Sequence, residues 1–338
     1  MQFSTRINVT PSASFTTDGA IYSIDYSPFE DKFITAGRQL CLWDVERSEI
    51  VQNFKWGNDD IIFAKYSPNE PNLIITTQYD NSITFYDLRV GNAVQKLTLN
   101  MRSNAARFNP MKPYMFAVAN DDSNVYSFDF RNFTKAKTIH AGFVNAALDV
   151  EFSPLGTELV AGSFDQTVRI WKADSPRSRE IYHNKRMQAA FQVRYTHDSK
   201  YILTGSADMN VRLWKSEASM LERIPSVREK KSLQYRNALK EKYAHMPEIS
   251  KILTKRQLPK YIYNQTKVRY VHSQAEKRKE ENRIKNDPKN AERQPLHKSM
   301  ISKVAFEGQK RHELNEFANE DEEEDFIEEP PSDFSDSD

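Results

Sequence analysis

The chain has 338 residues, with 48 Lys and Arg against 47 Asp and Glu, and one cysteine, Cys41. That length allows about two domains, while a single cysteine excludes a disulfide framework and leaves the redox compartment open. No stretch approaches the roughly 18 apolar residues that a spanning helix needs, and MQFSTRINVTPSASF at the N-terminus lacks a signal peptide's apolar core, so the chain reads as soluble and intracellular.

Residues 1–20 have room for at most an outer strand or part of one repeat. Beyond them an aromatic position returns about every 43 residues, at Trp43, Tyr86, Phe128, Trp171 and Trp214. Each closes the same kind of segment: compare LVAGSFDQTVRIWK (Leu159 to Lys172) with ILTGSADMNVRLWK (Ile202 to Lys215). Every period holds two alternating apolar runs. The first ends in a turn such as YSP (Tyr66 to Pro68), FNP (Phe108 to Pro110) or FSP (Phe152 to Pro154). The second is followed by a polar turn with an Asp, then the strand carrying the aromatic. Alternation bounded by Pro, Asn and Asp predicts short antiparallel strands joined by hairpins. A period of roughly 40–45 residues predicts an all-β WD-repeat propeller with five visible blades over 1–221. WD-repeat rings usually have seven or eight blades. Either this ring is small, or N-terminal blades are lacking and strand edges stand exposed; the second reading is favoured.

In the fourth blade His140, Ser163, Asp165 and Trp171 stand at the spacings of the structural hydrogen-bonded tetrad of WD repeats, in which Asp bonds His, His bonds Ser and Ser reaches the indole. A nucleophilic triad is disfavoured, because the serine lies within a strand and no nucleophile elbow is present. Asp80, Asp122, Asp165 and Asp208 recur at one blade position, which points to turn chemistry rather than acid–base work. There is no Gly-rich phosphate loop, no HExxH and no CxxC pair. No enzyme, metal or cofactor is expected.

After Trp214 the period turns helical. Ser226 and Glu229 read as a capping box before a helix on which Leu233, Leu239, Tyr243 and Met246 recur. Pro247 opens a second helix, Pro259 ends it, and a third runs from about Lys260 to Lys285, with Pro288 beyond. Residues 222–311 form this basic helical extension, with an excess of about fourteen positive charges. Its helices are either solvated elements docked on the propeller or a contact for a polyanion or ribonucleoprotein. In the second case Tyr261, Tyr263 and Tyr270 offer rings for unpaired bases, or an apolar face for a partner. Residues 312–338 carry acids as their only fully charged side chains and are expected to be a disordered acidic tail. Shielding the basic arm, contacting basic ribosomal proteins and simple solubilisation are all open to such a tail.

SREIYHNKRMQ (Ser178 to Gln188), Asp198 to Lys215, and the arm REKK…YRNALKEKYAHMPEI…LPKYIYNQ…KRKEENRIK resemble the suppressor-of-fibrillarin (Sof-like) family of WD-repeat proteins over most of 21–311. The resemblance implies a non-enzymatic scaffold in the nucleus and nucleolus, within the small-subunit processome around the box C/D small nucleolar RNP. Its work would be the processing of small-subunit pre-rRNA in ribosome biogenesis. Candidate RNA or RNP contacts are then Lys230, Lys231, Arg236, Lys240, Lys242, Lys277, Arg278, Lys279, Arg283 and Lys285. The family has seven blades, so the resemblance places this chain's start after the first two.

The family is also similar to substrate receptors of cullin-RING ubiquitin ligases, which carry a box of Asp, aromatic-Asp and x-Arg at a blade's end. Asp80, Tyr86, Asp87 and Arg89 match it, as do Asp122, Phe128, Asp129 and Arg131, with Tyr and Phe where Trp is usual. Lys172 and Lys215 replace the Asp in the fourth and fifth blades. The alternative function is therefore an adaptor-binding receptor, and no membrane partner is expected.

Overall fold

The computed structural model describes residues 14–286, except 18, 48, 55–58, 134, 219–222 and 255–257, together with 301–306. The acidic tail expected at 312–338 lies outside the described residues. Each of the five periods folds into its own antiparallel sheet.

Blade I consists of β1 (Ser23–Tyr26), β2 (Lys32–Ala36), β3 (Leu40–Asp44) and β4 (Ile50–Phe54). Blade II has β5 (Ile61–Tyr66), β6 (Leu73–Gln78), β7 (Ser82–Asp87) and β8 (Asn92–Leu99). Blade III has β9 (Ser103–Phe108), β10 (Met115–Asn120), β11 (Val125–Asp129) and β12 (Thr138–His140). Blade IV has β13 (Ala147–Phe152), β14 (Glu158–Ser163), β15 (Val168–Lys172) and β16 (Ser178–Tyr182). Blade V has three strands among the described residues, β17 (Ala190–Tyr195), β18 (Tyr201–Ser206) and β19 (Val211–Lys215). Three helices follow, α1 (Val227–Lys242), α2 (Pro247–Thr254) and α3 (Lys260–Asn286), and then β20 (Ile301–Phe306).

The hairpin between the second and third strands is built the same way in blades II to V. The residue after the turn Asp takes a positive φ at Asn81, Ser123, Gln166 and Met209. The Asp carboxylate accepts the N–H two residues on, as in Ser82 to Asp80 at 3.0 Å and Thr167 to Asp165 at 2.9 Å. This local bond makes the left-handed residue tolerable without glycine.

The core lies between blades rather than within them. Ile34, Leu42 and Phe54 meet Ile74 and Tyr86 across I and II; Phe85 and Leu97 meet Phe108, Phe116 and Phe133 across II and III. Ala105, Ala117 and Val125 meet Val150, Phe152 and Trp171 across III and IV, and Val160 and Ile170 meet Val193 and Ile202 across IV and V. The innermost strands stack in the series β1, β5, β9, β13, β17, and no comparable packing joins β17 to β1. The described blades therefore form an open array. Covered on both faces, β10 is buried along its whole length and loses the alternation of a half-exposed strand.

Residues 14–17 form no strand, within the limit expected of 1–20; Phe15 lies edge-on against Phe33 and Trp43, with ring centroids 5.0 and 5.5 Å away, on a face of blade I. Two findings depart from the sequence reading. The extension is not wholly helical, because β20 pairs antiparallel with β8, from Ile301 opposite Leu99 to Phe306 opposite Gln95. It thereby adds a fifth strand to blade II. Only half of the capping box forms: Ser226 Oγ accepts the Glu229 N–H at 3.3 Å, while the Glu229 carboxylate pairs with Arg223 at 2.7 Å.

Candidate interaction surfaces

The apolar residues of α1 build no core contact. Leu233, Leu239 and Tyr243 are half-buried, Met246 is exposed, and the helix has no buried residue. A helix this polar on every side presents its cations outward. Lys230, Lys231, Arg236, Lys240 and Lys242 on α1 are all exposed, as are Lys277, Arg278, Lys279 and Lys285 in the last third of α3; Arg283 is half-buried. The ten candidate contacts thus stand in two groups on two helices. Lys242 lies over the Tyr243 ring, 5.4 Å from its centroid.

How α3 is held was not legible in the sequence. Ile262 is its buried residue among those described, and about two turns further on Arg269 reaches the propeller. Its Nη1 donates to Ser123 Oγ, in the β10–β11 turn, and to the Phe143 carbonyl at 3.2 Å, before β13. Tyr261, Gln265 and Val268 line a shallow groove with Val144 beside it. The helix therefore crosses blades III and IV on the face of the Asp turns. Arg269 is one cation among many in a basic run, so nothing in its local sequence marks it as the anchor.

The two ligase boxes have nearly identical geometry. Arg89 Nε and Nη2 donate to the Asp87 carboxylate at 3.1 and 2.8 Å; Arg131 grips Asp129 at 3.1 and 3.0 Å. Backbone N–H groups of the same arginines complete each fork, at 2.9 and 3.0 Å. The paired guanidinium holds each carboxyl below the usual range for Asp. The arginine side chains are 70% and 68% exposed, on neighbouring blades. Arg131 also lies over the Tyr114 ring at 4.1 Å. Tyr86 and Phe128 are wholly buried in the inter-blade core, so neither offers a contact. Asp80 bonds Ser82 and pairs with Lys96, and Asp122 accepts from Tyr126 and Asn124. Of the eight residues, the two Asp–Arg forks are what face solvent.

The tetrad does not form. His140 belongs to β12 of blade III: Nδ1 donates to the Ser175 carbonyl at 2.8 Å, and Nε2 accepts from Ser127 Oγ at 2.8 Å. Ser163 Oγ donates to the carbonyls of Asn145 and Ala146, and Asp165 receives the Val144 N–H at 3.1 Å. Trp171 Nε1 is buried without a hydrogen bond. The reason is register. In blades I and V the indole N–H reaches a threonine on the second strand, Trp43 to Thr35 and Trp214 to Thr204, both at 2.9 Å. Blade IV has Ala161 at the place of Thr204, two residues before Ser163. Phe143 packs edge-on against Trp171 instead, 5.3 Å between centroids.

One charged array escaped the sequence reading. Asp25, Lys65, Arg107, Glu151 and Arg194 each precede the aromatic residue that ends an innermost strand. They interlock the blades. Asp25 pairs with Lys65 and accepts the Tyr66 N–H at 2.9 Å; Glu151 accepts the Tyr195 N–H at 2.6 Å; Asp149 accepts the Val193 N–H at 3.1 Å and meets Arg194 at 3.4 Å. Burial lowers the pKa of Lys65 and Arg107 and raises that of Glu151. The signal was present, a charged residue before each turn aromatic, but it shows only when all periods are aligned. Among the described residues, no group of three or more His, Cys, Asp or Glu is placed to hold a metal ion, and no helix is long and apolar enough to cross a membrane.

The family model for a Sof1-like domain matches residues 216–301, which contain α1, α2 and α3, and that for a WD domain, G-beta repeat, matches 134–172 and 185–215. Protein SOF1 of Saccharomyces cerevisiae is 40% identical over 269 residues, covering 80% of this chain and 55% of that protein. DDB1- and CUL4-associated factor 13 of Homo sapiens is 42% identical over 263 residues, 78% of this chain and 59% of the relative. Its namesake in Dictyostelium discoideum is 40% identical over 285 residues, 84% and 63% respectively. The chain thus spans somewhat over half the length of these curated relatives.

Proposed function

We propose that this chain, which carries WD repeats and a Sof1-like domain, is a non-enzymatic scaffold of the nucleolar small-subunit processome. In that role it docks processome proteins and the box C/D small nucleolar RNP while small-subunit pre-rRNA is processed. The observation that carries the reading is the coincidence of the Sof1-like match with the basic helices that Arg269 mounts on the WD repeats. The 40% identity to Protein SOF1 spans both parts. A rigid body of stacked sheets presenting exposed cations is suited to gripping polyanions and proteins, and nothing in the scaffold role requires a reacting group. Depletion of the protein is expected to make uncleaved small-subunit rRNA precursors accumulate and mature small subunits fall, read by probing precursor RNA on blots. Unchanged precursor profiles would remove the proposal.

A second reading is favoured by the twin Asp–Arg forks on adjacent blades, together with relatives whose name describes association with DDB1 and CUL4. Here the chain is a substrate receptor of a cullin-RING ligase, and the exposed arginines contact the ligase adaptor. Arg89→Ala combined with Arg131→Ala should reduce co-purification of the adaptor at least tenfold, since loss of charge-assisted contacts at an interface typically costs ~2 kcal/mol or more. The forks are exposed, so the fold should not change. Undiminished adaptor capture by the double variant would assign both boxes to turn structure alone.

A further inference from the structure

Mounting α3 on one side determines what its other sides display. Ile262, Gln265 and Arg269 recur at helical spacing and face the propeller, where Ile262 is buried and Arg269 bonds Ser123 and Phe143. About a quarter-turn to a half-turn round the helix lies another stripe: Lys260, Tyr263, Lys267, Tyr270, Gln274 and Arg278, all exposed. The two rings are 58% and 64% exposed, too much for a structural role in the core. Gln274 Nε2 donates to Tyr270 Oη at 2.6 Å, at the ring's edge, which leaves its faces open. The acids of the helix are Glu276, Glu280 and Glu281, so no carboxylate is interleaved with the stripe from Lys260 to Gln274, and only Arg278 has acids near it in sequence.

We infer that this stripe is a binding surface for single-stranded RNA, an inference that rests on the scaffold reading and names the chemistry the arm takes. Lys260 and Lys267, about two turns apart, answer a polyanion and would repel a basic protein surface. Each ring stands between cations, where a base can stack while its phosphates meet the lysines. Tyr263 and Tyr270 are separated by seven residues, roughly 10 Å along the axis. That is several times the spacing of stacked bases, so the strand must be extended and unpaired to use both rings.

The test uses the full chain and a short fluorescein-labelled oligouridylate, with affinity read by anisotropy across a salt series. Tyr263→Ala with Tyr270→Ala should weaken binding roughly tenfold or more at fixed salt while leaving the salt slope unchanged. Tyr263→Phe with Tyr270→Phe should bind as the parent does, because stacking needs the ring and not the hydroxyl. Lys260→Gln with Lys267→Gln should flatten the slope of log K against log salt by about 1.4. No binding by the parent chain, or equal binding by the alanine pair, would overturn the inference; in the second case the rings belong to a protein contact. Either failure leaves the depletion phenotype untouched, so precursor accumulation alone judges the scaffold reading and oligouridylate binding alone judges this one.

Discussion

His140 shows what one side chain gains and loses from its place between blades. It ties β12 to Ser127 of its own blade and to the Ser175 carbonyl of the next, and it is buried. Burial pushes its pKa down to about 4 from 6.5, against weaker opposing effects of the Ser175 carbonyl and Asp174. The folded protein takes up this proton less readily than the unfolded chain, so the contribution is complete above about pH 6.5 and declines as pH falls toward 4, where the loss levels off. The shift corresponds to about 3 kcal/mol. His140→Gln should therefore narrow the stability difference between about pH 7 and about pH 4.5 by roughly that amount, measured by urea unfolding of both proteins. An equal loss in parent and variant would assign the acid sensitivity to other groups.

At the scale of the element, equivalent positions in two blades have unequal neighbours. A Cβ on Gly162 would lie 2.8 Å from the Ala190 carbonyl and 2.8 Å from Val193 Cγ2, atoms of the next blade. At Gly205, the same place in blade V, nothing lies within 4 Å. Gly162→Ala should destabilise by about 1–3 kcal/mol through forced separation of blades IV and V, and Gly205→Ala should be neutral or stabilise by about half a kcal/mol. Shifts in the denaturation midpoint would decide it; equal effects would mean that the blades do not pack as described. The helices were legible as elements because capping and proline signals are local: Ser226 caps α1, and Pro247 opens α2. β20 was not, because a six-residue segment acquires its strand form only from the free edge of β8, some 200 positions earlier in the chain.

Across the whole molecule, a nearly neutral total charge conceals a body locked by charges of both signs at its inner strands and an extension with its cations turned outward. The fivefold period, the strand pairs, the Asp turns and the three helices could be read from residue order, because each depends on neighbours within a few positions. The anchor of α3 joins residues 146 apart, and the tetrad failed because the indole reaches the second-strand position of Thr204, which is Ala161 in blade IV, a contact that only the folded sheet reveals. Two strands make the division plain. VRIWK of β15 and VRLWK of β19 differ by one residue, yet Val168 and Ile170 are fully buried while Val211 and Leu213 are 75% and 60% exposed. Sequence determined that both are third strands of a blade. Tertiary structure alone decided which one is covered, since burial depends on whether another sheet stands against the face, and β15 has blade V beside it where β19 has no further sheet among the described residues.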